Sequence, residues 1–331
     1  MALVNGTNGN DIGVFALNGT ADADLILGLN GIDQLTGYGG ADTLMGGLGN
    51  DLLFGGQGID TASYVYSTSG VYVALGEHRS LAMYGAEDHD SLLGIENVTG
   101  SALHDYIIGD DGANTLRGEG GSDQLEGGGG ADELIGGAGE DYVYYSGSAF
   151  GVTVNLAKGT GSGGDAEGDT LSGIENLHGS EHTDYLTGNG YDNALFGHAG
   201  NDVLKGGGGA DLLSGDSGKD EIWGGGGADR FVFHPGESGD TKAAADRIAD
   251  FSHLQGDKID LSGFATSGLP YPGYWSFTFI GSKSFSGEHQ VRAVVENGNT
   301  YVGLNETGTS GAEEWIRLDG VHTLHAGDFI L

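Results

Sequence analysis

The sequence predicts an all-β chain built as a stack of very short strands joined by glycine turns. Three observations predict it: a nine-residue period, an aspartate fixed at one place in that period, and an apolar residue two positions after the aspartate. Bulk composition points the other way. Of 331 residues, 69 are Gly, 3 are Pro and none is Cys, and 48 Asp plus Glu against 12 Lys plus Arg give a formal net charge of −36. Glycine fixed in ordered structure costs roughly 0.5–1 kcal/mol more than alanine, and an acidic, weakly apolar chain would ordinarily stay disordered. The order of the residues argues for structure.

The first 27 residues read as an N-terminal cap, within which the register opens at Asp24 and continues through Asp33, Asp42, Asp51 and Asp60. A second block places Asp105, Asn114, Asp123, Asp132 and Asp141 on the same spacing, and a third places Asp184, Asn193, Asp202, Asp211, Asp220 and Asp229. In each unit Gly-Gly-x-Gly-x-Asp forms a turn whose glycines take φ > 0 and bring carbonyls together. The next three residues make a minimal strand whose middle side chain points to one face. Leu35, Leu44, Leu53, Ile107, Leu116, Leu125, Leu134, Leu186, Leu195, Leu204, Leu213 and Ile222 hold that middle position, so stacked strands enclose a thin apolar core. Turns stacked along the edges gather carboxylates and carbonyl oxygens, an all-oxygen donor set that suits Ca²⁺ better than Mg²⁺.

Gly127-Gly128-Gly129-Gly130-Ala131-Asp132-Glu133-Leu134-Ile135 and Gly206-Gly207-Gly208-Gly209-Ala210-Asp211-Leu212-Leu213-Ser214 resemble the calcium-binding nonapeptide of RTX (repeats-in-toxin, hemolysin-type) proteins. The resemblance implies a right-handed parallel β-roll with two nonapeptides per coil. It also implies a Ca²⁺ between the Asp of one repeat and the Asp eighteen residues on, as in Asp24/Asp42, Asp105/Asp123 or Asp211/Asp229. On that basis the sixteen register positions are the candidate ligands, for roughly eight to ten ions. Asn114 and Asn193 replace Asp, so the sites they share are expected to be weak or empty.

The β-roll is expected to span residues 28–235 with spacers at 61–99 and 142–178. The spacers look like copies of each other: Asp90-Ser91-Leu92-Leu93-Gly94-Ile95-Glu96-Asn97 matches Asp169-Thr170-Leu171-Ser172-Gly173-Ile174-Glu175-Asn176, and Gly70–Leu75 matches Gly151–Leu156. Both carry the alternation of a strand and are read as continuing or buttressing the roll. A ligand groove built on Tyr64, Tyr66, Tyr72, Tyr142, Tyr144 and Tyr145 is the alternative.

Beyond residue 235 glycine thins out. Asp246-Arg247-Ile248-Ala249-Asp250-Phe251 and Gly256-Asp257-Lys258-Ile259-Asp260-Leu261 resemble the region that closes the roll in serralysin-type secreted proteins. Strand-like runs follow at Phe277–Ile280, Gln290–Val295, Thr300–Leu304 and Glu314–Leu318. The tail Asp328-Phe329-Ile330-Leu331 looks like a type I secretion signal, and Met1–Gly6 carries neither the basic nor the apolar run of an N-terminal signal peptide. Asp246, Asp250, Asp257 and Asp260 are read either as one more Ca²⁺ site or as exposed carboxylates.

The charge balance excludes nucleic acid as a partner. None of the eleven His precedes Glu, so the His-Glu-x-x-His zinc site is missing, and no Gly-x-Ser-x-Gly elbow occurs. His178, His182 and His198 lie near one another in sequence and are read as solvent-facing polar positions, with a metal site as the alternative. The expectation is a secreted, extracellular, monomeric protein without catalytic residues that folds on Ca²⁺ after export. Its partners would be calcium ions and, through the C-terminus, the type I secretion machinery. The alternatives are a module that binds or modifies polysaccharide, as in alginate epimerases, and a secreted signalling or membrane-active protein.

Overall fold

In the computed structural model the described residues are 2–13, 16–76, 80–84, 88–265, 277–308 and 310–331. They form strands and short 3-10 turns, with no α-helix among them. The chain divides into two compact units, Met1–Tyr145 with Gly159–Ile174 and Ser146–Lys158 with Glu175–Leu331.

In the first unit strands alternate between two parallel ladders. One ladder pairs Leu3–Asn5 with Leu25–Asn30, then Thr43–Leu48, Thr61–Ser63, Asn97–Thr99, Thr115–Gly120, Glu133–Ala138 and Thr170–Ser172. The other includes Leu17–Asn18, Gln34–Gly39, Leu52–Gln57 and Asp88–Leu93. Val71–Ala74, Tyr106–Ile108, Gln124–Glu126 and Tyr142–Tyr144 continue that face. Partners inside a repeat block are eighteen residues apart, as Leu25 opposite Thr43 and Gln34 opposite Leu52: two nonapeptides make one coil. This is a parallel β-roll. The ladder starts at Leu3, well ahead of the expected boundary at residue 28.

Many strands are six residues long where three were expected, because the opening residues of the next turn stay paired with the coil above. Leu29 lies opposite Gly47 and Asn30 opposite Leu48. The spacers enter the ladders. Thr61 pairs directly with Asn97, Leu52 with Ser91 and Glu133 with Thr170. The extra length between Thr61 and Asn97 includes Ser80–Tyr84, which runs antiparallel to both Asp88–Leu93 and Val71–Ala74.

The second unit repeats the plan. One face stacks Thr153–Asn155, Tyr185–Thr187, Val203–Gly208, Glu221–Gly226 and Asp246–Ile248. The other stacks Asn176–His178, Ala194–Phe196, Leu212–Ser214, Arg230–Val232 and Lys258–Asp260. An antiparallel meander, Gln290–Glu296, Asn299–Asn305 and Glu314–Leu318, joins the first face through Ile248 opposite Leu318. Phe329–Ile330 ends the other, with Ile259 opposite Phe329.

The predicted central residues are fully buried: Leu35, Leu44, Leu53, Ile107, Leu116, Leu125, Leu134, Leu186, Leu195, Leu204, Leu213 and Ile222 all have 0% exposure. Each contributes about 1.5–3 kcal/mol by leaving water. The repeat aspartates are equally hidden, with Asp60, Asp123, Asp141, Asp184 and Asp220 also at 0%. A core one side chain thick therefore sits between files of buried carboxyl groups. That places the energetic question on the turns.

Candidate metal centres

Every coil brings the predicted residues into contact with the coil above. The backbone N–H of Asp24 donates to Asp42 Oδ1 at 2.7 Å, that of Asp42 to Asp60 Oδ1 at 2.8 Å, and that of Asp33 to Asp51 Oδ1 at 2.8 Å. The second block links Asp105 to Asp123, Asn114 to Asp132 and Asp123 to Asp141, each at 2.8 Å. The third links Asp184 to Asp202 and Asp202 to Asp220 at 2.8 Å, Asn193 to Asp211 at 2.9 Å and Asp211 to Asp229 at 3.1 Å. The eighteen-residue pairs of the sequence thus stand side by side along the turns.

What the second carboxylate oxygen does divides the set. In Asp33, Asp42, Asp60, Asp123, Asp132, Asp202, Asp211, Asp220 and Asp229, Oδ2 is buried with no hydrogen-bond donor. A buried polar atom left in this way costs about 1–3 kcal/mol, more when charged. These atoms lie against the first glycine of their own turn, and at Asp33, Asp42, Asp60, Asp123, Asp202 and Asp211 a glycine carbonyl of another coil converges on the same place. At Gly37 a Cβ would fall on Asp42 Oδ2 and lie 2.5 Å from Gly55 O. Only glycine leaves that space clear. The fourth turn residue shows the other need for glycine: Gly40 has φ +101° and packs against the backbone of Asp22 and Ala23.

The first aspartate of each block is satisfied differently. Asp24 Oδ2 accepts from Thr20 N at 2.6 Å and Thr20 Oγ1 at 2.8 Å. Ser101 N and Oγ hold Asp105, and Ser180 N and Oγ hold Asp184. A hydroxyl residue after the first glycine supplies these donors. At the two exceptions, Asn114 Nδ2 donates to Glu96 O at 2.7 Å and Asn193 Nδ2 to Glu175 O at 2.8 Å. An amide donor stands where the other repeats present an acceptor.

Electrostatics follow from burial. Desolvation pushes Asp123, Asp132, Asp211 and Asp220 up to about 7, Asp202 up to about 8 and Asp229 up to about 6, and neighbouring carboxylates add to each shift. Burial also raises Asp33, Asp42 and Asp60. Asp24 is held below the ordinary carboxylate range by the hydrogen bonds from Ala2 and Thr20. Buried carboxylates clustered with carbonyls and lacking donors fit a hard cation that binds oxygen only. When bound, Ca²⁺ would supply the positive charge these oxygens lack.

Several register members lie outside the sixteen expected positions because the spacing breaks. Gly6-Thr7-Asn8-Gly9-Asn10-Asp11 is a turn of the same kind, and Asp11 N donates to Asp33 Oδ1 at 2.7 Å across 22 residues. Asp51 N reaches Asp90 Oδ1 and Asp132 N reaches Asp169 Oδ1, both at 2.9 Å, while Asp60 N reaches Glu96 Oε2. Asp220 N and Asp229 N donate to Asp246 and Asp257. An Asp followed two residues later by Leu or Ile marks Asp90, Asp169, Asp246 and Asp257. Asp246, Asp257 and Asp260 are 1% exposed, which settles against exposed carboxylates at those three. Asp250 instead accepts from Gly224 N and Gly225 N.

Tyr64 and Tyr145 pack inside the roll, 3% and 2% exposed, with the Tyr145 hydroxyl donating to Asp169 Oδ2 at 2.9 Å, which removes these two from the alternative of a ligand groove; the expectation for the histidines changes. His178 and His198 are half-buried and joined, Nδ1 to Nε2, at 3.1 Å; His182 alone of the three is exposed.

Fold and turns together define a repeat solenoid whose edges are built for divalent cations. The model of the RTX calcium-binding nonapeptide repeat (4 copies) matches residues 18–53, 27–62, 90–125, 99–134, 117–147, 178–213 and 205–236. The chain belongs to the RTX calcium-binding nonapeptide-repeat family across these segments. Among solved structures it is similar to the AlgE6R3 subunit of the Azotobacter vinelandii mannuronan C5-epimerase, with 32% identity and a TM-score of 0.33, over 45% of this chain and 78% of that one. The AlgE6R2 subunit of the same epimerase gives 27% identity and a TM-score of 0.32, over 46% and 89%. Extracellular lipase LipA from Serratia marcescens gives 17% identity and a TM-score of 0.26, over 74% and 44%. A search of curated proteins returned no match.

Proposed function

We propose that this chain is a secreted calcium-binding β-roll that acquires its fold outside the cell by binding Ca²⁺. The observation that carries the reading is the set of nine repeat aspartates with a buried, donorless Oδ2 against the first glycine of the turn, six of them where a glycine carbonyl of another coil converges as well. Asp33, Asp42, Asp60, Asp123, Asp132, Asp202, Asp211, Asp220 and Asp229 would hold the ions, with Asp51 and Asp141 completing the files. Extracellular calcium modules commonly have dissociation constants of about 10⁻⁴–10⁻³ M. Cytosolic calcium would leave such a chain unfolded, and external calcium would drive folding by mass action. The C-terminal tetrapeptide suits export of an unfolded chain: Asp328 is 0% exposed and Phe329–Ile330 is paired in a ladder once the chain has folded.

The test is far-UV circular dichroism with excess chelator and with millimolar Ca²⁺. A coil spectrum that converts to β on adding calcium is expected. Equal β content in both conditions overturns the reading.

A second reading, polysaccharide binding, is favoured by a cleft of about 390 Å³ in the first unit. Leu27, Leu29, Met45 and Leu48 make its apolar floor, Asn8, Asn30 and Ser67 its rim, and Tyr66, 83% exposed, stands at its side. An exposed tyrosine over an apolar floor with amide and hydroxyl groups matches the two-sided surface of a sugar. A glycan-binding isotherm at fixed Ca²⁺, weakened in Tyr66→Ala, is expected; no binding to acidic or neutral glycans removes this reading.

A further inference from the structure

On the second unit, beside the turns whose Asp202 and Asp220 link the coils, four side chains line an open cleft of about 580 Å³. His198 and Asp216 take the second position of two turns stacked on one edge, at 197–202 and 215–220, where other repeats carry glycine such as Gly207 and Gly225. Both keep the left-handed backbone of that position, with φ 71° and 57°. His198 Nδ1 lies 3.6 Å from Asp216 Oδ2. Beside them His234 Nδ1 lies 3.0 Å from Glu237 Oε2. Ligand atoms of Asp216, His234 and Glu237 all lie within 4.8 Å of one another.

We propose that His198, Asp216, His234 and Glu237 form a site for a first-row divalent metal ion of the Zn²⁺ type, which uses the second positions of two calcium turns and is distinct from the ion positions between their aspartates. Bonds of about 2.0–2.2 Å in a tetrahedron place neighbouring ligand atoms about 3.4 Å apart. The 3.6 Å and 3.0 Å pairs are already near that edge length, and Asp216, His234 and Glu237 must draw in from within 4.8 Å with His198 following on Asp216. Two imidazole nitrogens with two carboxylates select a borderline metal over Ca²⁺, which takes oxygen.

The surroundings are those of a held site. His178 Nδ1 sits 3.1 Å from His198 Nε2, and its ring stacks on Phe196 with centroids 4.4 Å apart, so the His198 ring is oriented from behind as outer partners orient metal-binding histidines. Ser214 Oγ donates to Asp216 Oδ1 at 2.5 Å. Gly263 presses against the His234 ring, where a Cβ would overlap Cδ2. The side toward solvent is open, with Glu181 and Ser217 on its walls. Like-charged Asp216 and Glu237 side by side are unfavourable alone, and a dication between them removes the repulsion.

The experiment is calorimetric titration of ZnCl₂ into the full chain held folded in saturating Ca²⁺, with circular dichroism confirming the fold of each variant. Co²⁺ is the optical probe for tetrahedral coordination. Saturable zinc binding is expected, at least about 10-fold weaker in His234→Ala and in Asp216→Asn, the latter keeping a residue that tolerates the left-handed backbone. His178→Ala should weaken it by about 10–100-fold through loss of orientation alone. His253→Ala serves as the control, because His253, His325 and Asp328 form a separate histidine–carboxylate cluster. No saturable zinc binding by the folded wild type overturns the proposal. So does zinc binding that survives in His234→Ala and Asp216→Asn but is lost in His253→Ala.

Discussion

Asn114 Nδ2 donates to the carbonyl oxygen of Glu96 at 2.7 Å, closing with a neutral hydrogen bond a corner that other repeats close with a carboxylate. Asn193 and Glu175 reproduce the contact in the second unit at 2.8 Å. One position in the repeat therefore has two physical solutions. An amide satisfies the carbonyl by itself, whereas an aspartate faces it with another acceptor.

Asn114→Asp should convert the first solution into the second. The new carboxylate would confront Glu96 O and Asp110 Oδ1, to which Asn114 Nδ2 also donates at 3.2 Å. Without calcium the variant should lose about 1–3 kcal/mol; with calcium it should bind about one more ion. Equilibrium dialysis with chemical denaturation in chelator and in Ca²⁺ reads both. An unchanged ion count together with unchanged calcium-free stability would refute the assignment.

The pH dependence has a definite sign. Burial raises the carboxyls of Asp123, Asp132, Asp202, Asp211, Asp220, Asp229 and Asp246 to between about 6 and about 8. The folded chain then holds protons that the unfolded chain has released, so their contribution is present below about pH 4 and lost as pH rises through about 6–8. Calcium-free protein should keep more β structure near pH 5 than near pH 8. Calcium added near neutral pH should displace protons, which a pH electrode in weakly buffered solution records.

Gly206→Ala tests the closeness of the turn. A Cβ there would overlap Asp211 Oδ2 and stand 2.6 Å from Gly224 O. The methyl group would occupy the place where oxygens converge, so calcium affinity should fall and the calcium concentration at half-folding should rise several-fold. Gly226→Ala, where a Cβ would meet nothing within 4 Å, is the matched control.

Tyr145→Phe removes a hydroxyl that donates to buried Asp169 Oδ2 at 2.9 Å. A lost hydrogen bond to a carboxylate should cost about 1.5–3 kcal/mol, read as a lower urea midpoint in saturating Ca²⁺. A change confined to glycan binding, with stability intact, would return this tyrosine to a ligand groove.

Much of this architecture was legible because the repeat imposes one local environment many times. Leu44 and Leu213 were placed in the core from spacing, and Asp42 and Asp60 on one file from the resemblance to the calcium-binding nonapeptide. Asp90 and Asp169 escaped, and Asp246 and Asp257 were left between a further Ca²⁺ site and exposed carboxylates, because insertions break the spacing while the ladder continues. Pairing depends on which backbone lies alongside, and sequence distance does not report that once coils are interrupted. Tyr64 and Tyr145 were expected to pack and do; what an alternating run does not show is that a hydroxyl meets a buried carboxylate, as that of Tyr145 meets Asp169.

The sequence by itself determined the nine-residue unit, the apolar file, the aspartate files and their suitability for a hard cation, since each is a periodic property of residue type. The tertiary structure decided which carboxylate oxygens are left without donors, where serine, threonine or asparagine relieves them, and that His198, Asp216, His234 and Glu237 share a cleft. Those outcomes depend on distances of a few tenths of an ångström between chain segments remote in sequence, and only the stacked coils set them.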